Sequence, residues 1–476
     1  MVLANSFAVR NTLQTPVLNE LAARPDLEVV FLTPSPQDQE RIHQAGADNL
    51  SWRLLHRPVE GVGLGYGGIM ALAWRLCQRL VMRAARPWAS FGNLVYRFNE
   101  IQGFVGHRQK KALSEVQRAR EAKAGNYVDP WLGRPWPRSR LVLRLLHWFY
   151  YATWYSEPAV EAFLDAFRPH LLVLHHIQFE SIRPYSTAAR RRRLSTLGVV
   201  ASWDQPTTKG PLCPGMARYV VQSHQMRGEL QRWHGVDPGR VEVVGWPQMD
   251  YYRRPNLLRP RQEFLAELGL EPHRRLVLLG ANSARLGAHE PGIAAHLARS
   301  LGRLAPAGDA TLIVRPHPND GQWPERFGQL HDPPRVVVLP AEWGRLDFLA
   351  NLLHHAAVLL ATGGTIHLDA VALDTCAVAI GFADGQGGER DGQVRRWYEM
   401  DHYQPVVKSG GVRLVSSFEE LDQAVKTYLD DPTTDAEGRQ RCRQEQLEPL
   451  DGQSSARLVN LIATEAQRAA GGRQHA

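Results

Sequence analysis

Short apolar runs alternate along this chain with stretches whose apolar residues recur every three or four positions. Met1–Ala8 is apolar and predicts a first strand, Leu13–Ala23 has helical spacing, Asp26–Leu32 predicts a second strand and Ser35–Ala45 a short helix. After a long interruption the alternation resumes with strands predicted at His170–His176 and Leu197–Ser202, around a helix at Ser181–Arg193. It continues through Arg218–Gln222, a helix near Gln225–Trp233, and Val241–Val244. Polar Asp250–Pro260 reads as a linker. A second series then follows. Strands are predicted at Arg275–Leu279, Thr311–Arg315, Arg335–Leu339, Val358–Thr362 and Thr375–Ile380, and helices at Ile293–Leu304, Asp347–His354 and Ile366–Ala372. Ser417 and Glu420 have capping-box spacing before a helix running to Leu429, and the tail from Ala436 to Ala470 is largely helical. Alternating strands and helices predict parallel sheets. The expected layout is two successive α/β domains, residues 1–252 and 260–432, closed by a helix and tail at 433–476.

Length and composition agree with that division. At roughly 150 residues per domain, 476 residues suggest two or three domains, and 44% hydrophobic with 22% charged residues is globular usage. No apolar run reaches the ~20 residues needed to span a bilayer. Met1–Phe7 has neither a basic leader nor a cleavage site, so a cytoplasmic location is expected. Cys77, Cys213, Cys376 and Cys442 fit no zinc or redox spacing, which implies a reducing compartment. The net charge is +8, carried almost wholly by arginine. That excess suits nucleic acid, an anionic membrane or phosphorylated substrates without choosing among them.

Residues 61–155 form a basic and aromatic insertion in the first domain. Arg75, Arg79, Arg83 and Arg86 would share one helical face, and Trp148, Phe149, Tyr150, Tyr151 and Trp154 follow a second basic stretch. Peripheral contact with the inner face of a membrane through 69–86 and 138–155 is one expectation. An ordinary surface helix is the other. No nucleic-acid module is recognisable, so no nucleic-acid partner is expected. Gly63–Gly68 satisfies GxGxxG, but the acidic residue that a dinucleotide site wants about 20 positions on is missing, and the pattern is set aside. Without HExxH, CxxC or Asp-X-Asp, no metal is expected, and no cofactor beyond a nucleotide-activated donor taken as substrate.

Chemistry concentrates where predicted strands end. Thr362-Gly363-Gly364-Thr365 stands between a buried strand and a helix. Glycines there let backbone N–H groups approach a phosphate, beside the positive helix end. Asp369 lies about one turn further, placed to accept ribose hydroxyls. The plainer reading is a tight turn with a surface aspartate. Arg315-Pro316-His317-Pro318 stiffens a loop that presents an arginine and a histidine to a phosphate, or is a structural turn. Asn282 and Ser283 end the first strand of the second series and would line the same cleft. In the first series, Asp204 is a candidate base and Lys209 would steady developing charge. His175 and His176 end the neighbouring strand, at least one of them expected in the core.

From Leu171 to Arg457 these segments together resemble the GT-B glycosyltransferases. Within that group they are similar to the CDP-glycerol glycerophosphotransferase (teichoic-acid polymerase) and related surface-polysaccharide transferases. Ser202–Gly210 is similar to that family's Trp-His-Gly-Thr-Pro-Leu-Lys segment, with Asp204 in place of the histidine regarded as the acceptor-side base. Val243–Asp250 resembles Gly-Tyr-Pro-Arg-X-Asp, and Arg315–Pro318 the motif whose histidine lies near donor phosphates. Thr362–Ala370 falls at the family's Asp-Tyr-Ser-Ser…Asp segment and is also similar to the Ser-Gly-Thr-X-X-Leu-Glu of lipid A disaccharide synthase. Asp451–Leu458 resembles the closing Asp-Gly…Arg segment.

The resemblance implies two Rossmann-like domains facing a central cleft and a C-terminal helix crossing back. It implies a metal-independent transferase moving a sugar or polyol-phosphate group from a nucleotide-linked donor to a polysaccharide or lipid-linked acceptor. Asp204 would be the base, with His175 or His176 as substitute. Arg315, His317 and the Thr362–Thr365 amides would hold the departing phosphate. Two alternatives share the fold: a nonhydrolysing UDP-sugar 2-epimerase, which needs no acceptor, and a non-catalytic scaffold of a polysaccharide-assembly complex.

Overall fold

The computed structural model describes residues 1–55, 157–178, 180–208, 212–213, 215–254, 256–284, 286–305, 308–342 and 345–474. Residues 69–86 and 138–155, for which membrane contact is one expectation, lie outside the described residues, as do Cys77 and Lys209. The chain forms two compact units: Met1–Gln248 with Gln453–Ala476, and Met249–Gly452.

Unit 1 is built on parallel strands β1 (Val29–Thr33), β2 (Leu50–Leu54), β3 (Leu171–His175), β4 (Ser195–Val199), β5 (Arg218–Val221) and β6 (Val241–Val243). β1 pairs with β2, and β3 to β6 pair in sequence. Val2 joins the two sets by parallel bridges to Leu32 and Leu174, its N–H donating to the Val173 carbonyl at 2.8 Å. The spatial order β2-β1-Val2-β3-β4-β5-β6 is that of a doubly wound sheet, reversing direction between Val2 and β3.

The strand expected over Met1–Ala8 is thereby corrected. Only Val2 pairs, and a helix begins at Ser6, capped by Asn5 Oδ1, which accepts the Ala8 N–H at 2.9 Å. The apolar Ala8, Val9 and Leu13 are a buried helix face rather than the continuation of a strand. The last helix, Ser454–Gln474, belongs to unit 1. Its Leu458, Val459, Ile462 and Ala463 join a core with Leu18, Leu21, Val173 and Leu197. Arg457 Nε donates to the Val244 carbonyl at 2.9 Å, fastening the start of that helix.

Unit 2 has strands β7 (Arg275–Gly280), β8 (Ala310–Arg315), β9 (Val336–Val338), β10 (Ala356–Ala361), β11 (Cys376–Ile380) and β12 (Val412–Val415). All pair in parallel, in the order β12-β11-β10-β7-β8-β9. Helices cover the sheet, so its strands are apolar without alternation. Val277, Leu279, Leu312, Val314, Leu360 and Val378 pack against Ile293, Leu297 and Leu301 of the helix Glu290–Leu304, and against Leu421 and Val425 of the helix Phe418–Asp430. Ser417 caps that second helix by accepting the Glu420 N–H at 3.2 Å. Glu420 answers one residue earlier than a capping box requires, accepting the Ser416 N–H. The sheet reverses direction between β7 and β10. Open parallel sheets leave a crevice for ligands at the carboxyl ends of such a strand pair.

Candidate functional site

At that reversal β10 ends on Ala361 and the helix Ile366–Ala372 starts on its far side. The four residues between them turn through Gly363 and Gly364, at φ +68° and +92°, values that favour glycine. Gly363 N–H points inward and donates to the Tyr398 hydroxyl at 2.9 Å, which itself donates to the Ile380 carbonyl at 2.9 Å. That amide is therefore committed to the protein. Gly364 is exposed at the crest of the turn.

The loop after β7 is tied to this turn. Asn282 Nδ2 donates to the Thr362 carbonyl at 2.6 Å and to Glu290 Oε1 at 3.1 Å, while the Asn282 N–H donates to Glu290 Oε2 at 2.8 Å. His289 Nε2 lies 3.1 Å from Thr362 Oγ1. Ser283 contributes its carbonyl, which accepts the N–H groups of Leu286 and Gly287. Asn282, Ser283 and Thr362–Thr365, chosen separately from the sequence, thus belong to one pair of joined loops.

Arg315 and Pro316–Pro318 leave the carboxyl end of β8, beside β7. His317 closes its own turn, Nδ1 accepting the Asn319 N–H at 3.1 Å. Asp369 is buried on the helix after the turn and accepts the Tyr252 hydroxyl at 2.9 Å. Its neighbour His367 is buried between the Tyr403 hydroxyl at 2.5 Å and the Val378 carbonyl at 3.0 Å.

In unit 1, His175 and His176 end β3, and both are buried. His176 adopts φ +57°, and its Nδ1 lies 3.0 Å from Asn5 Nδ2. His175, 3% exposed, has no hydrogen-bond partner for either ring nitrogen among the described residues. Burial drives its pKa down to about 3, so the ring is neutral at physiological pH. Asp204 lies beyond the end of the neighbouring β4, half-buried, and accepts the Ser202 hydroxyl at 2.5 Å. A neutral imidazole with two unmet polar atoms costs more than an apolar side chain of similar size. His175→Leu is expected to stabilise the protein by about 1 kcal/mol, read as a later midpoint in urea. An earlier midpoint would show that the imidazole has a partner.

Some site residues carry no local signal in the sequence. Glu290 is fully buried, and Arg326 Nη1 donates to the Asn282 carbonyl at 2.8 Å. Arg326 also reaches the Gly287 carbonyl at 2.5 Å and pairs with buried Asp320. His289-Glu290-Pro291 does have the form of a helix start, an acidic residue before an N-terminal proline. Asp391 is a third such residue. Its carboxylate accepts the N–H groups of Ala383, Asp384, Gly385 and Gly387 at 2.6 to 3.2 Å, closing the loop after β11 on itself. Those bonds hold its pKa below the usual carboxylate value against the opposing effect of burial.

No protein-family profile and no curated protein matches this sequence. Solved structures match it in fold. A Listeria monocytogenes protein assigned as a UDP-N-acetylglucosamine 2-epimerase is 13% identical, with a TM-score of 0.55 over 98% of this chain and 96% of its own. Staphylococcus aureus MnaA, solved with UDP, is 11% identical, with a TM-score of 0.55 over 97% of this chain and 94% of its own. A glycosyltransferase from Rickettsia africae is 8% identical, with a TM-score of 0.50 over 98% of this chain and 97% of its own. The fold is GT-B. Two doubly wound sheets in series and a last helix returned to the first unit are its parts here. Among the described residues, no helix is long and apolar enough to cross a membrane.

Proposed function

We propose that this chain acts on a nucleotide-linked sugar and inverts it at C2 without an acceptor, as a nonhydrolysing UDP-sugar 2-epimerase. The observation carrying this is the joining of the β7 and β10 loops at the reversal point of the unit 2 sheet, by Asn282 and Thr362. The fold match to a protein assigned as a UDP-N-acetylglucosamine 2-epimerase, and to MnaA solved with UDP, over nearly the whole chain supports it. The Thr362–Thr365 turn would receive the diphosphate, with Arg315 and His317 as further donors.

Inversion requires removal of the C2 proton and its return from the opposite face. Breaking the C2–H bond while the C1–O electrons leave with the nucleoside diphosphate balances the charge. Re-addition of the diphosphate at C1 then restores the glycoside. Asp204 is the proposed base, with His175 and His176 as alternates. The phosphate-binding groups would stabilise the departing diphosphate, where charge develops.

The test is UDP-N-acetylglucosamine in D2O, followed by proton NMR. An epimer carrying deuterium at C2, formed with no acceptor, is the expected result. Asp204→Asn should slow it by about 10²-fold or more. Transfer only when a polysaccharide or lipid-linked acceptor is added would favour the transferase reading, which the Rickettsia africae match and the segments around Asp204 and Arg315 support. Binding of UDP, CDP or GDP donors with no turnover under either condition would favour a scaffold. Failure of every nucleotide to bind would overturn the reading.

A further inference from the structure

Glu290 opens a helix of unit 2 and is completely buried. An acidic first residue suits the helix dipole, but it does so from an exposed position at small cost. Burying the carboxylate is expensive unless its partners are good ones. Here the surroundings are built around it. A Cβ on Gly287 would sit 1.9 Å from Glu290 Oε2, so the carboxylate occupies space that only a glycine leaves. Its oxygens accept the Asn282 N–H at 2.8 Å and Asn282 Nδ2 at 3.1 Å. Arg326 Nη2 stands 3.4 Å away. Asn282 in turn holds the Thr362 carbonyl at 2.6 Å, and His289 faces the Thr362 hydroxyl. Glu290 therefore reaches Thr362, the first residue of the glycine turn, by way of Asn282, which holds the Thr362 carbonyl.

We propose that Glu290 is a positioning residue that shapes the Thr362–Thr365 turn for a diphosphate, and that losing its proton turns this turn against an anionic ligand. The proposal rests on the reading that the turn receives the diphosphate of a nucleotide-linked sugar. The surrounding charges make the switch a clean one. Arg326, from the helix Trp323–Phe327, and Asp320, from the loop after β8, pair with each other and cancel. His289 is held uncharged, down to about 4, by burial and by Arg390 and Arg326. Asp391 faces His289 from the helix Glu389–Arg395, its own charge met by four backbone N–H groups. Tyr398, which also faces Glu290, is pushed up by burial and stays neutral. Among these groups it is Glu290 that changes charge near neutrality. Burial lifts it to about 7, against the opposing pull of Asn282, Arg326 and Thr362. Below that value Glu290 adds no charge to the cluster, and above it one further negative charge lies beneath the turn.

The experiment is calorimetric titration of the full chain with UDP-N-acetylglucosamine at pH 6, 7 and 8.5. The diphosphate diester keeps both of its negative charges throughout that range. Wild-type affinity is expected to fall about tenfold from pH 6 to 8.5. Glu290→Gln is expected to hold near the pH 6 affinity at all three. A second measurement does not depend on the variant folding. Titrations of wild type at pH 7, in buffers of different ionisation enthalpy, should show net proton uptake on binding. A pH slope shared by wild type and Glu290→Gln, or zero proton uptake, overturns the inference while leaving nucleotide binding intact. No binding at any pH overturns the nucleotide reading, and this inference with it.

Discussion

Acidification from pH 7 to 4.5 is expected to unfold this protein steeply, because buried and half-buried neutral imidazoles in both units must take up protons. Burial drives His175 down to about 3, and His234, His289 and His367 each to about 4, from an ordinary 6.5. The folded state resists a proton that the unfolded chain accepts near 6.5. Their stabilising contribution is therefore complete above 6.5 and is lost as pH falls towards 4. Each group removes up to about 1.4 kcal/mol per pH unit in that window. With two such groups in each of the two compact units, each unit loses up to roughly 3 kcal/mol per pH unit, a large share of the 5–15 kcal/mol that holds a typical domain. Glu290 has the opposite sign. Its carboxyl is raised to about 7 from 4.5, so its contribution is present below 4.5 and is lost as pH rises through 7. Urea midpoints measured from pH 4.5 to 8.5 should peak near neutrality and fall fastest below 6. His175→Leu should flatten the acid limb. Equal midpoints at pH 7 and 5 would contradict the assignment.

The second large effect is expected from Arg326→Ala. This guanidinium donates to the Asn282 and Gly287 carbonyls, pairs with Asp320 and approaches Glu290. Asp320 is buried, so truncation leaves it without a counter-charge. Removing one partner of a buried ion pair costs about 3–5 kcal/mol. Arg326→Lys keeps the charge but not the fork that spans two loops, and should lose an intermediate amount. Chemical denaturation gives the stability change, and thermal shift with UDP shows whether the Thr362 turn still forms. A loss below about 1 kcal/mol would mean that Asp320 is protonated or hydrated without it.

Much of the fold was legible in the sequence because both sheets are covered by helices. Strands with both faces buried become unbroken runs such as Leu171–Leu174, Leu276–Leu279, Leu312–Val314 and Val358–Ala361, and such runs need no long-range information to recognise. Helix starts with strong caps were equally plain, as at Ser417. The N-terminus was not. Val2 pairs as a single residue and Asn5 caps a helix within the same apolar stretch, so composition could not separate strand from helix there.

The candidate site divides in the same way. The Thr362–Thr365 turn showed itself because Gly363 and Gly364 meet a backbone demand that is local to four residues. Glu290 and Arg326, 36 residues apart and on different helices, bear no motif that links them to that turn or to each other. Nor could the sequence tell that Tyr398 spends the Gly363 amide or that Tyr252 bonds Asp369. Only the strand order β10-β7-β8 brings the first two together, by placing the carboxyl ends of strands distant in sequence side by side. The sequence by itself determined the elements, their parallel pairing and the glycine turn, since each follows from local sterics and from burial. The tertiary structure alone decided which charges lie beneath the turn, because desolvation and ion pairing depend on what the fold packs together.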